Sequence, residues 1–532
     1  MRTRSLLLVS AGVVGGVALY LGCGGDDAAS SPTNDAGTED ASTPLGPLDS
    51  GTDDAGFDAG PPVAPYDWVG VIGTGQSLSI GATAGVISTT ASFHNGKLVD
   101  NGPAPKYPLG GGGATYAVVP LIEPIRGAIA GYNDNQYPNN IAGETPHSGM
   151  ASELTYLFAA QGGGDYVSMH TVVGWSGNPL VNINKEGTGR AYPGSLQEVR
   201  TFTALAKAAN KTYGVGGIIL THGETDAANP AYGAGLKTFI ADYNTDIKAI
   251  TGQTREIPIF ISQQSVNDGP TSSAVQVWQD GLVEPRIVCV GPKYQYQYSQ
   301  DNLHFQAPGY LRLGEKYAEV FDIVVNQGKT WAPVQPKNIA TMGNKIVIVF
   351  NVPNPPLAWD ETLAPPHQSS HAAWMKGRGF EVVSGNTELA ITSADLTAAD
   401  TVTLTMAAAV TGSVTVQYAT TQDGGGNQGG LVTGFRGQLA DSDGLIGYDE
   451  ESLALTLTQG SASATFTSGA FAKRAVRDIV TVAAAPVNWT VLDAANGTLT
   501  MSAPWPGATG VTPVKIHHDL RNYAVHFSQP TP

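Results

Sequence analysis

Cysteine is almost absent: two in 532 residues, Cys23 and Cys289. No disulfide framework can be built from them, and Cys289, inside Ile287-Val288-Cys289-Val290, reads as a small apolar residue of a buried strand. Charge is scarce as well, at 14% of residues, and its balance is acidic: 28 Lys and Arg against 45 Asp and Glu, a net charge of −17. A chain this poor in cations, with no basic aromatic stripe, is not built to bind nucleic acid. No basic residue occurs between Arg4 and Lys97, while Asp26, Asp27, Asp35, Glu39, Asp40, Asp49, Asp53, Asp54 and Asp58 crowd one segment. The rest of the chain is only mildly acidic. Two catalytic signatures are also missing. No glycine-rich phosphate loop ends in Lys-Ser/Thr, and Ser79 stands where a Gly-x-Ser-x-Gly elbow around Ser77 would need its last glycine.

What is present begins with Arg2 and Arg4, an apolar run from Leu6 to Leu21, and Gly22-Cys23. A basic start, a short apolar stretch and a small residue make a secretory signal, too short for a stable membrane span. A cysteine directly after the small residue resembles a bacterial lipoprotein signal, with Cys23 as the lipidated N-terminus. Tyr20 departs from that pattern, where an aliphatic residue is usual, and an uncleaved anchor is the alternative. Either way the expectation for residues 1–23 is a signal that places the protein outside the cytoplasm, tethered to the membrane or cell surface. Residues 24–64 hold Asp, Ala, Gly, Ser, Thr and Pro with little to bury, and read as a disordered acidic linker.

From 65 to 330 the pattern alternates strands and helices. Near-continuous apolar runs at 68–72, 166–173, 217–221, 257–262 and 287–290 have the composition of strands buried on both faces of a parallel sheet. Between them Val199, Phe202, Leu205 and Ala209 share one helical face, as do Leu236, Phe239, Ile240, Tyr243, Ile247 and Ile250, with Gly252 as a stop. A last helix starts near Pro308 and stops near Gly328. These units predict a doubly wound α/β layer fold. Residues 83–150, rich in Gly, Pro and Asn, read as long loops over the sheet edge. After Thr330 short alternating strands separated by Gly/Asp/Asn turns predict a β-rich, sandwich-like region over 331–532.

Three stretches carry chemistry. Gly73-Thr74-Gly75-Gln76-Ser77 ends the first strand in a tight turn that presents a serine. Thr221-His222-Gly223-Glu224-Thr225-Asp226 follows the third strand, and Asp301-Asn302-Leu303-His304 precedes the last helix. In a parallel sheet the carboxyl ends of strands share one rim, where sites form. A serine hydroxyl is a weak nucleophile that needs a base, and the base needs an orienting anion. Asp301 and His304, three apart, allow the carboxylate to hold one ring nitrogen and leave the other for Ser77. His367 and His371 have helical spacing without the glutamate of a zinc helix, His517-His518-Asp519 lies among strands, and Asp441-Ser442-Asp443-Gly444 is only a fragment of a calcium loop. No metal and no cofactor is expected.

The order Gly-Gln-Ser, Gly-Glu-Thr-Asp, then Asp-x-x-His before a Gly-Tyr helix resembles the SGNH (GDSL-like) hydrolases, over about residues 66–326. The branch it is similar to is that of carbohydrate esterases related to sialate O-acetylesterase and acetylxylan esterase. The resemblance implies a flavodoxin-like three-layer α/β/α fold, with Ser77 as nucleophile and Asp301 and His304 completing the triad, and it implies hydrolysis of O-acetyl groups on carbohydrate. It also implies an oxyanion hole made by the Ser77 N–H, a glycine N–H (Gly177, or Gly174) and a side chain of the third motif. There the chain departs from the family: Thr225 replaces asparagine, and His222 replaces the glutamine frequent in the sialate branch. Either could donate, while Gln76, Glu224 and Asp226 are left to brace the site. A lipid or aryl esterase on the same triad, and a non-catalytic glycan-binding surface protein, are the alternatives.

Overall fold

A computed structural model describes residues 61–532 apart from 92–94, 101–115, 128, 130–131, 133, 267–268, 369, 424–428, 432–433, 444–452, 467–477, 483–484 and 496. The signal with Cys23, and the acidic linker up to residue 60, lie outside the described residues. So does Gly444 of the Asp441 turn.

The central element is a seven-stranded sheet. In chain order its parts are β1 (Trp68–Gly75), β2 (Gly96–Asp100), β3 (Tyr116–Pro120), helix α1 (Pro146–Ala160), β4 (Ser168–Val172), helices α2 (Leu180–Ile183) and α3 (Ala191–Ala208), β5 (Tyr213–Thr221), α4 (Tyr232–Thr251), β6 (Ile259–Gln263), α5 (Ser273–Gly281), β7 (Ile287–Pro292) and α6 (Ala307–Phe321). The spatial order is β3-β2-β4-β1-β5-β6-β7. The run from β4 to β7 is parallel throughout, so the chain leaves β1 to one side for β4 and then crosses to the other side for β5. That reversal puts a crevice at the carboxyl end of β1.

Strand side chains alternate between two cores, as the two-residue pleat requires. Val69, Val71, Ile219, Phe260, Val288 and Val290 join Met150, Leu154 and Phe158 of α1 and Leu313 and Val320 of α6. Ile72, Ile218, Leu220, Ile259, Ile261 and Cys289 face the other way, onto Val199 and Phe202 of α3, Leu236 and Ile240 of α4, and Trp278 of α5. The helix ends follow local chemistry. Thr145 caps α1 by accepting from His147 N at 3.2 Å, and Gly252 ends α4 in the left-handed region at φ +73°.

Two expectations change. Residues 83–150 are not only loops. Lys97-Leu98-Val99 and Ala117-Val118-Val119 are short enough to be hidden by their Gly- and Pro-rich surroundings, yet they pair as an antiparallel hairpin that extends the sheet beyond β4. The β-rich region also holds more than open sheets. Strands 335–342, 345–351, 391–398 and 401–406 form one four-stranded antiparallel sheet, and 380–384, 387–388, 415–418 and 527–530 form another. Between strands 415–418 and 527–530 of that second sheet, six strands over 453–517 close into a barrel. Alternation of apolar and polar residues looks the same in an open sheet and a closed one, so sequence periodicity could not separate them.

α6 ties the two regions together, and every residue of it is buried. The Arg312 guanidinium grips Asp478 with Nη2 at 2.9 and 3.0 Å from its two oxygens. His518 Nδ1 lies 2.8 Å from Glu315 Oε1, and Lys316 Nζ donates to Asn522 Oδ1 at 2.8 Å. No helix among the described residues is long and apolar enough to cross a membrane.

Candidate active site

Ser77 opens a short 3-10 turn, Ser77–Ser79, directly after β1. Gly75 is needed there: at φ +138° it lies so close to β5 that a Cβ would stand 2.1 Å from Thr221 O. The turn is closed by Ser79, whose N–H and Oγ both donate to Gln76 O, at 2.9 and 2.7 Å. Ser79, which breaks the elbow motif, thus has a structural task of its own.

Ser77 is 3% exposed, and its Oγ lies 2.8 Å from His304 Nε2. His304 Nδ1 is 2.6 Å from Asp301 Oδ2. The other Asp301 oxygen accepts from Ser299 Oγ at 2.6 Å and from the N–H groups of Leu303 and His304, both at 3.0 Å. Partial burial pushes the Asp301 carboxyl upward, but those hydrogen bonds outweigh it and hold the group well below the usual carboxylate range. The loop folds back on itself at Asn302, φ +53°, and is closed by the Tyr298–Phe305 bridge. Residues from the ends of the chain's first strand and from the approach to its last long helix therefore meet as a hydroxyl, an imidazole and an anion.

The remaining candidates separate by what holds them. Gly174 is wedged in: a Cβ there would lie 2.0 Å from Ser79 Oγ. Gly177, at φ +69°, faces open space, with nothing within 4 Å of an added Cβ. Thr225 is exposed, and its N–H donates to Gln76 Oε1 at 3.2 Å, so Gln76, the residue before Ser77, is tied to the second loop. Asp226 braces as expected, with Oδ2 accepting from Leu180 N at 2.7 Å and Oδ1 from Asn229 Nδ2 at 2.9 Å.

His222 does not fit an oxyanion role. Its Nδ1 is 3.0 Å from Tyr232 OH and its Nε2 is 3.0 Å from Asn178 O, with the ring stacked on Tyr232. Both nitrogens are spent, and burial lowers its pKa and keeps it neutral. Its work is to hold the segment that carries Gly177. Glu224 takes an ammonium, with Lys293 Nζ 2.5 Å from Oε1. Lys293 escaped the sequence reading, although it is the single Lys or Arg between Arg286 and Arg312 and directly follows a buried strand.

Among the described residues, no group of three or more His, Cys, Asp or Glu side chains could hold a metal ion. His367 is paired with Glu381 at 3.2 Å and His371 with Glu388 at 2.9 Å.

Residues 180–322, which include both Thr225 and His304, match the family model of the carbohydrate esterases described as sialic acid-specific acetylesterase. The chain is a carboxylic-ester hydrolase, and the resemblance drawn from its motifs holds. No curated protein matches it. Among solved structures it is similar to a carbohydrate acetylesterase from Xanthomonas citri, at 13% identity over 69% of this chain and 77% of that one, with a TM-score of 0.41. A protein from Arabidopsis thaliana matches at 14% identity over 48% of this chain and 98% of its own, with a TM-score of 0.35. A carbohydrate acetylesterase from Sinorhizobium meliloti matches at 12% identity over 47% of this chain and 97% of its own, with a TM-score of 0.25.

Proposed function

We propose that this esterase is an exported serine hydrolase that removes O-acetyl groups from carbohydrate. The observation that carries the reading is the continuous line Asp301–His304–Ser77, with 2.6 and 2.8 Å links, at the carboxyl end of the strand where the sheet reverses direction. His304 Nε2 takes the Ser77 proton as Oγ attacks the acetyl carbonyl carbon. Asp301 fixes the ring and stabilises the imidazolium. The carbonyl oxygen becomes an oxyanion on the N–H of Ser77, which starts its turn and so lacks an intrahelical acceptor, and on the N–H of Gly177. With His222 committed elsewhere, the Thr225 hydroxyl is the third donor. His304 then returns the proton to the sugar oxygen as the C–O bond breaks, and a water activated by the same nitrogen releases acetate.

The fold and domain limits we propose follow the same reading: a flavodoxin-like three-layer domain over 65–330, a β-rich region over 331–532, a lipoprotein signal over 1–23 and a spacer over 24–64. The hydrogen bonds of the Ser77 turn and the strand order support the first. The basic start, apolar run and Cys23 support the third.

The test is acetate release from p-nitrophenyl acetate and from acetylated xylan, comparing wild type with Ser77→Ala. Loss of ~10³-fold or more in turnover is expected. Equal rates in the two proteins would sink the assignment.

A further inference from the structure

One buried ion pair close to the site takes no part in the chemistry above. Lys293 follows β7 and Glu224 follows β5, so their 2.5 Å contact spans the end of β6, which lies between those strands. Their side chains are 0% and 4% exposed, and Glu224 Oε2 is buried without a hydrogen-bond partner among the described residues. Stability alone does not account for such a pair, because two apolar side chains of similar volume commonly do as well or better. What the pair does hold is position. Glu224 stands next to Thr225, whose N–H is tied to Gln76 beside Ser77. It is two residues from Asp226, which holds the start of α2 and so the Gly177 turn. On the other side the chain runs from Lys293 to Asp301 and His304.

We infer that Lys293 is a positioning residue for ester hydrolysis. Its ammonium anchors Glu224, and the anchored loop keeps the oxyanion side of the site at a fixed spacing from the base side. The inference rests on Ser77 acting as the nucleophile. Misplacement of reacting groups by about 1 Å can cost ~10²-fold in rate, so the effect belongs to turnover rather than to substrate binding.

The experiment uses the full chain and p-nitrophenyl acetate. Lys293→Met combined with Glu224→Met removes the pair without stranding a charge. Its kcat should fall ~10–100-fold while KM moves less than ~3-fold. A folded double variant with wild-type kcat overturns the inference. A second comparison stands independently of how the double variant folds. Glu224→Gln keeps an acceptor for Lys293 and should retain kcat within ~5-fold, whereas Glu224→Ala should lose as much as the double variant. Equal kcat in the Gln and Ala variants also overturns it. Ser77→Ala is assayed in parallel: activity there defeats the nucleophile assignment, while an inactive Ser77→Ala beside a fully active double variant defeats Lys293 alone.

Discussion

The α/β region and the β-rich region bury the same kinds of polar residue and use them differently. In the β-rich region Glu381 is enclosed by His367, Thr420 and Thr421, and Asp441 by Asn522 and Asn354. At the carboxyl ends of the parallel strands the paired groups stay open to solvent on one side. His304 keeps 14% of its side-chain surface and Asp301 keeps 40%, while Ser77 offers its hydroxyl to His304. Parallel strands share a direction, so their ends collect on one rim, whereas antiparallel strands scatter theirs. The identity of the residues matters less than whether the topology brings paired but accessible groups to one place.

The sharpest way to break this comparison is to ask whether the β-rich region is a separable attachment. Arg312→Met would remove the guanidinium that Asp478 and Glu315 share in the α6 contact. Breaking a buried pair from one side should cost ~3–5 kcal/mol in a urea unfolding curve. An unchanged midpoint would mean that the regions are energetically independent.

A smaller effect concerns the support of β1. His147 Nδ1 lies 2.8 Å from His170 Nδ1, and a Cβ on Gly73 would be 1.8 Å from the His147 ring. Burial holds His147 down to about 3, and burial together with His147 holds His170 well below its ordinary range. With folded values below the unfolded ones, the unfolded chain binds more protons as pH falls through about 6.5. Stability is then complete above that pH and declines toward pH 5, by up to ~1.4 kcal/mol per histidine per pH unit. Melting temperatures from pH 7.5 to 5 should show a shallower decline for His170→Gln than for wild type. Equal slopes would contradict a buried neutral pair.

The least expected effect is at Thr145→Ala, which removes the α1 cap for ~1 kcal/mol and should leave turnover untouched. A fall in turnover there would show that α1 acts on the site beyond holding the fold.

Much of this was legible in the sequence because it depends on local pattern. Apolar runs located the five parallel strands, Gly252 located the end of α4, and the spacing of Asp301 and His304 foretold their contact with Ser77. The misses have a common cause. Lys97-Leu98-Val99 is too short to announce a strand, and the closure of the barrel over 453–517 depends on which strand edges pair, not on which residues alternate. His222 looked available because its two partners, Tyr232 and the Asn178 carbonyl, approach from other segments. Lys293 was passed over for the same reason, since Glu224 lies far from it in the chain.

The most direct measurement of the central claim is the mass of the intact protein after exposure to an organophosphate, with the adduct located by peptide mapping. Wild type should gain one adduct on Ser77, His304→Ala should react ~10³-fold more slowly or worse, and Ser77→Ala should gain none. An adduct on another residue, or labelling of Ser77 at the wild-type rate without His304, would contradict a serine nucleophile activated by that histidine.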